Sequence, residues 1–200
     1  MKLILFFLLT FNLIADNGYS IRGAYGISSA SDFDELYKFE GLNTSPYDTS
    51  VYNIAGGYRF VEDFHDLPID FTLNGGVSYF DENGHQSDFL EATLYLKMSI
   101  KFNFLSQTLR YGIAEGVAYA GTVPWVEHKE AEVEDDEESE FLNYMEMTFD
   151  FELGKLIGVK DLEEVYIGYL IKHRSGAKGI YGGVTDGGSN YNCIYVEKNF

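Results

Sequence analysis

Residues 90–102 read LEATLYLKMSIKF, and their alternation decides the fold. Leu90, Leu94, Leu96, Met98, Ile100 and Phe102 share one parity, while Glu91, Thr93, Lys97, Ser99 and Lys101 share the other. Side chains along a β-strand point to opposite faces in turn, so this segment presents one apolar face and one charged face. The charged face carries more information than the apolar one. Lysines tolerated inside a closed barrel, where acids can pair with them, cost about 2–4 kcal/mol on a lipid-facing surface at mid-membrane.

The same period of two recurs in segments 19–28, 52–60, 69–79, 109–120, 141–153, 165–174 and 193–200. With 90–102 this makes eight strands, an even number, each of a length that crosses a membrane when tilted. The expected fold is all-β, an eight-stranded antiparallel transmembrane β-barrel filled by its own side chains rather than open as a pore. Long connections (29–50, 122–140, 177–188) alternate with shorter ones near 62–67, 103–108 and 157–164. Glu115 breaks the pattern, because it shares the parity of Ile113 and Val117. A bulge or a functional role would account for it.

Composition agrees with strands: 16% aromatic residues, 21 Gly and only three Pro. A mean hydropathy of −0.15 is too low for a bundle of spanning helices, whereas a barrel turns only alternate residues to lipid. The net charge of −18 excludes a nucleic-acid surface, which needs Lys and Arg against phosphate. Much of that charge lies in EAEVEDDEESE, residues 130–140, read as a solvated loop that can also collect divalent cations. Cys193 is the single cysteine, placed inside the barrel; no internal disulfide, metal site or cofactor is expected. His65, His85 and His128 have no metal-ligand spacing and read as loop residues.

The chain starts MKLILFFLLTFNLIA, with Lys2 before an apolar run and Ala15 at a plausible cut. This has the size of a signal peptide and is too short for a spanning helix. The division expected is a signal peptide over 1–15 and a barrel domain over 16–200, destined for the bacterial outer membrane.

Chemistry concentrates at the end of the seventh segment, YLIKHRSGAKG. His173 and Ser175 share the parity of Val165, Ile167, Tyr169 and Ile171, so they continue a lipid-facing row toward the outer rim. A Ser hydroxyl attacks only when a base takes its proton and a third group holds that base. The bland reading is two rim residues facing lipid headgroups. Asn190 has the parity of Ile194 and Val196, which sets it beside His173 on the next strand, with Asp186 in the loop above. Lys172, Arg174 and Lys178 surround these residues, either as strand-end polarity or as grips for a lipid phosphate.

His173-x-Ser175, then Gly188-x-Asn190 opening a last strand that ends at Phe200, resembles the lipid A 3-O-deacylases of the PagL type. The motif detail covers about the last thirty residues. The resemblance implies an eight-stranded outer-membrane barrel that hydrolyses an acyl ester of lipid A in the outer leaflet, using a Ser–His–acid triad and no metal. It implies Ser175 as nucleophile and His173 as base. Asn190 stands where the family has Glu, and Asp186 is a second source of the missing charge. Gly176 stands where the family has Asn, leaving backbone N–H groups to bind the oxyanion. Two other readings stay open: a non-catalytic surface-binding barrel of the OmpA kind, and a soluble secreted lipid-binding barrel. The last sits poorly with charged inner rows.

Overall fold

The computed structural model describes residues 18–31, 33, 35, 43–105, 107–185 and 187–200. Strands β1 (Tyr19–Ser28), β2 (Ser50–Val61), β3 (Ile69–Asp81), β4 (Phe89–Phe104), β5 (Gln107–Ala120), β6 (Phe141–Glu152), β7 (Val165–Ser175) and β8 (Gly188–Asn199) follow one another around a closed barrel. Every neighbour pair is antiparallel, and β8 closes on β1 through pairs such as Tyr25↔Ile194. The N–H of Phe200 donates to the carbonyl of Tyr19 at 2.8 Å, so the last residue of the chain finishes the seam. The expected segment 1–15 lies outside the described residues.

Alternation sorts the side chains as the period of two requires. Ile54, Leu90 and Ile194 are 69%, 59% and 67% exposed on the outer wall. Their neighbours in sequence, Asn53, Glu91 and Cys193, are buried in the interior. An apolar wall around a charged filling is stable only where hydrocarbon bathes the outside, which makes this a membrane-spanning barrel.

The filling is a stack of ion clusters. At mid-height the Arg22 guanidinium grips Glu146 through both carboxylate oxygens, at 2.6 and 2.9 Å, and donates to the Tyr95 hydroxyl at 2.8 Å. Tyr144 donates to the same carboxylate at 2.8 Å, and the Lys97 ammonium lies 3.5 Å from it. Toward the chain termini Arg110 binds Asp150 at 2.8 and 3.0 Å and Glu197 at 2.8 Å. Toward the other end Glu91 receives both Lys172 and Arg174. Charges this deep survive only as hydrogen-bonded pairs.

Helix α1 (Trp125–Glu134) lies in the β5–β6 connection and sends Glu127 into that last cluster, where Arg174 Nε meets it at 2.7 Å. The acidic run is therefore not simply a solvated loop. Its first half is helical, and Glu127, just before it, is buried beneath the helix. Asp136 accepts from the backbone N–H groups of Thr185 and Gly187 at 2.9 and 3.1 Å, and Glu130 from that of Gly188 at 3.2 Å. These carboxylates tie down the loop that leads into β8. Among the described residues no group of three or more His, Cys, Asp or Glu is placed to hold a metal ion. Trp125 covers this end as well: its backbone N–H donates to Glu82 at 2.9 Å, and burial pushes the Glu82 carboxyl upward.

Loop lengths alternate less cleanly than the sequence suggested. The β6–β7 connection on the termini side carries helix α2 (Leu153–Ile157) and a 3-10 turn, while β3 and β4 on the far side are joined by a short turn over 82–88. His65 and His85 are exposed in turns, as expected, although His85 stacks on Trp125 at 5.5 Å; His128 is half-buried on α1 and pairs with Glu138 at 2.6 Å.

Glu115 stays on the outer wall. Its register is unbroken from Leu96 across to Met145, so no bulge explains it. The register shift in this sheet region lies elsewhere, between Arg59 and Val61. A carboxylate facing lipid is a stability cost smaller than that of Lys. Glu115→Leu should therefore raise stability by about 1–2 kcal/mol, read as a higher urea midpoint in bilayers. An unchanged midpoint would mean that Glu115 already reaches water or a partner.

Candidate functional site

Cross-strand register brings the motif together. His173 of β7 pairs with Asn190 of β8, Ser175 pairs with Gly188, and on the other side Met145 and Asn143 of β6 pair with His173 and Ser175. His173, Ser175, Asn190 and Asn143 all belong to the outward rows, since the alternate positions Lys172, Arg174, Ser189 and Tyr144 are buried in the lumen.

The orientation of Asn190 is fixed from two sides. Its Nδ2 donates to the carbonyl of Ser31 at 3.1 Å, which turns Oδ1 toward the His173 ring at 2.8 Å from Nδ1. An oxygen facing Nδ1 makes that nitrogen the protonated one and leaves the Nε2 lone pair free to take a proton. Phe33 stacks on the imidazole, with centroids 4.4 Å apart and planes 21° off parallel, which restricts the ring further. One residue row below, the Tyr169 hydroxyl donates to Asn192 Oδ1, a second polar pair on the outer wall.

Ser175 ends β7, half-buried, and its hydroxyl makes no hydrogen bond among the described residues. It lies two residues beyond His173, about 7 Å along the strand on the same face. Catalytic hydrogen bonds are commonly long in the absence of substrate and tighten when it binds. Gly176 follows in a close approach of chains, where a Cβ would collide with the carbonyl of Val184. Gly188 is similarly pressed against the Arg174 carbonyl, so both glycines are required for space.

Lys172 and Arg174 are placed differently from a phosphate grip. They are 1% and 0% exposed inside the barrel and neutralised by Glu91 and Glu127, so their charges do not reach the outer wall. Lys178 is exposed in the loop after Ser175, at φ 57°. Asp186 lies outside the described residues. Cys193 is buried in the lumen at 2% exposure.

Two concavities flank the His173–Asn190 pair. An apolar groove of about 390 Å³ runs along the outer wall past Phe33, Met145, Met147, Ile113 and Leu96, with Glu115 at its edge. A pocket of about 310 Å³ with a mixed lining, Ser31, Ser45, Glu130 and Asn190 beside Val126 and Val133, opens at the rim. Phe33 belongs to the groove and Asn190 to the pocket, so the pair sits where the two meet.

No family profile and no curated protein matches this chain. Among solved structures it is similar to the outer membrane enzyme PagL, with a TM-score of 0.55 at 9% identity over 90% of this chain and 99% of that one. It is also similar to Neisserial surface protein A, with a TM-score of 0.52 at 13% identity over 92% of this chain and 97% of that one. The fold is that of the bacterial outer-membrane β-barrels. Identities this low establish architecture alone, and activity must be argued from the site.

Phe33, the Ser31 carbonyl, Asn143 and the Glu127 plug were not anticipated from the sequence. Phe33 and Ser31 belong to a loop without periodicity, and Glu127 precedes an acidic run that masks it. Asn143 was detectable: it shares the parity of Phe141 and Met145, which makes it a polar residue on a lipid-facing row.

Proposed function

We propose that this protein is an outer-membrane ester hydrolase of the lipid A deacylase kind, exported by a signal peptide over 1–15 and acting on an acyl ester of an outer-leaflet glycolipid. The observation that carries the reading is the Ser31–Asn190–His173 chain of hydrogen bonds, which readies Nε2 as a base on a lipid-facing row two residues from a serine.

In this reading a lipid moves laterally to the wall, with its acyl chain along the Phe33–Met145 groove and its polar head toward the rim pocket. Ser175 Oγ attacks the ester carbonyl while His173 Nε2 takes the hydroxyl proton. The carbonyl π electrons move onto oxygen, then return as the C–O bond to the sugar breaks, and His173 returns its proton to the departing alkoxide. Water repeats the sequence on the acyl-serine and releases the fatty acid. Asn190 orients the ring without supplying charge, and Asp186 is the candidate for that charge. Gly176 N–H is a candidate oxyanion donor and Lys178 a candidate contact for an anionic head. Lys172 and Arg174 take no part.

Expressing the wild type and Ser175→Ala in a Gram-negative host, then weighing its lipid A, tests this directly. The wild type should remove one acyl chain and the variant none. Identical acylation in both strains would overturn the hydrolase and leave the surface-binding barrel as the reading.

A further inference from the structure

Asn143 is an anomaly on the outer wall of this barrel. It is 3% exposed, it sits on a row otherwise made of Phe141, Met145, Met147, Phe149 and Phe151, and its Oδ1 is buried without a hydrogen-bond partner. Its Nδ2 donates to no acceptor among the described residues and, unlike Oδ1, is not wholly buried. A buried amide oxygen left unpartnered costs on the order of 1–3 kcal/mol, so a fold that keeps one has a use for the residue or carries a burden. Its position points to the use. Asn143 is the direct register partner of Ser175, two positions along from the Met145↔His173 pair and on the same face. Directly opposed residues on one face hold their Cβ atoms about 4.5–5.5 Å apart, which puts the carboxamide within reach of a group bonded to Ser175 Oγ.

We infer that Asn143 is a catalytic residue whose Nδ2–H donates to the carbonyl oxygen of the ester as negative charge gathers there. The inference rests on the hydrolase reading above and supplies what that reading lacks. Gly176 has no side chain to give, and Lys172 and Arg174 are committed in the lumen, so that reading otherwise offers the oxyanion only backbone N–H. No bond to Asn143 forms or breaks: it gives one hydrogen bond, strongest when the oxygen carries the full charge, and regains its open state on collapse. The lack of a protein partner is then a requirement, because a donor already engaged must first break free. His173 precedes Ser175 by two residues on β7 itself, while Asn143 faces Ser175 from β6, so base and oxyanion donor approach the serine from different directions.

The test uses the full-length protein in bilayers, with Asn143→Ala and the near-isosteric Asn143→Asp beside the wild type. Each is assayed for ester cleavage and for the rate at which an alkyl fluorophosphonate labels Ser175, whose tetrahedral centre needs the same donor. Both variants should lose about 10²–10³-fold in kcat with KM nearly unchanged, and should label correspondingly slowly. Asn143→Ala should meanwhile unfold at the same urea concentration or higher, since it removes an unpaired buried amide oxygen. Wild-type kcat and labelling in both variants would overturn the inference while leaving the hydrolase intact. So would a loss of activity that follows a loss of stability, which marks a packing role. A wild type that neither cleaves ester nor labels at Ser175 would remove the hydrolase itself, and Asn143's role with it.

Discussion

Arg174→Met should destabilise the barrel by about 3–5 kcal/mol, the cost of stranding buried carboxylates whose partner has gone. The side chain is wholly buried, donates to Glu91 at 2.7 Å, and holds Glu127 through Nε at 2.7 Å and Nη2 at 3.3 Å. Lys172 would still neutralise Glu91, but among the described residues Glu127 would keep only the Ser189 hydroxyl. Since Glu127 is what anchors α1 over the barrel end, the helix should loosen before the strands do. The urea midpoint in bilayers and the heat-modified gel mobility measure the global effect, and fluorescence of Trp125, the single tryptophan, measures the helix. Combining Arg174→Met with Glu127→Gln, which leaves the Lys172–Glu91 pair intact, should recover much of the loss, because it removes the carboxylate that the single variant strands. A phosphate-gripping role for Arg174 foresees the opposite: normal stability and weaker binding of lipid. An unchanged midpoint in the single variant would undo the lumen assignment.

That contrast shows how far the sequence could be read. Parity alone placed Lys172 and Arg174 on the inner face and His173 and Ser175 on the outer one, because a strand has no freedom in which side its residues take. The strands from Ile69 to Asp81 and from Phe141 to Glu152 are bounded by turns almost where the alternation starts and stops. Proximity in sequence was a poorer guide. Lys172 and Arg174 flank His173 along the chain, yet a peptide plane turns them about 180° away, toward Glu91, a residue of β4. Which acid meets which base inside the lumen depends on side-chain length and on register around the closed ring, and neither shows in one segment. The acidic run misled for a related reason. Composition describes 130–140 as solvated, while the decisive carboxylate, Glu127, lies just before it and is chosen by Arg174. The Glu115 exception was legible as an exception, but only the unbroken register could separate a bulge from a lipid-facing acid.

Asn190→Ala should lower kcat by about 10²–10⁴ with little change in KM, the scale of losing correct imidazole orientation and tautomer in a serine–histidine pair. The argument is one of competing proton positions. Without Oδ1 facing it, Nδ1 has no reason to keep the proton, and the Nε2–H tautomer presents a donor to Ser175 where an acceptor is needed. Phe33 stacking still confines the ring plane but is blind to which nitrogen is protonated. Asn190→Asp separates orientation from charge. One carboxylate oxygen can accept from Nδ1 as the amide does, and its charge favours the imidazolium formed during attack. The other oxygen, however, replaces the Nδ2 that donates to the Ser31 carbonyl, setting two acceptors against each other. The Ser31 loop must shift or the carboxylate must rotate, so Asp should retain far more activity than Ala without any assurance of surpassing Asn. Measured kcat in the order Ala well below both Asp and Asn supports a positioning role for Asn190. Equal kcat in Ala and wild type would show that the Ser31–Asn190–His173 chain serves only to seat the loop over the barrel wall, and the case for a readied base at His173 would go with it.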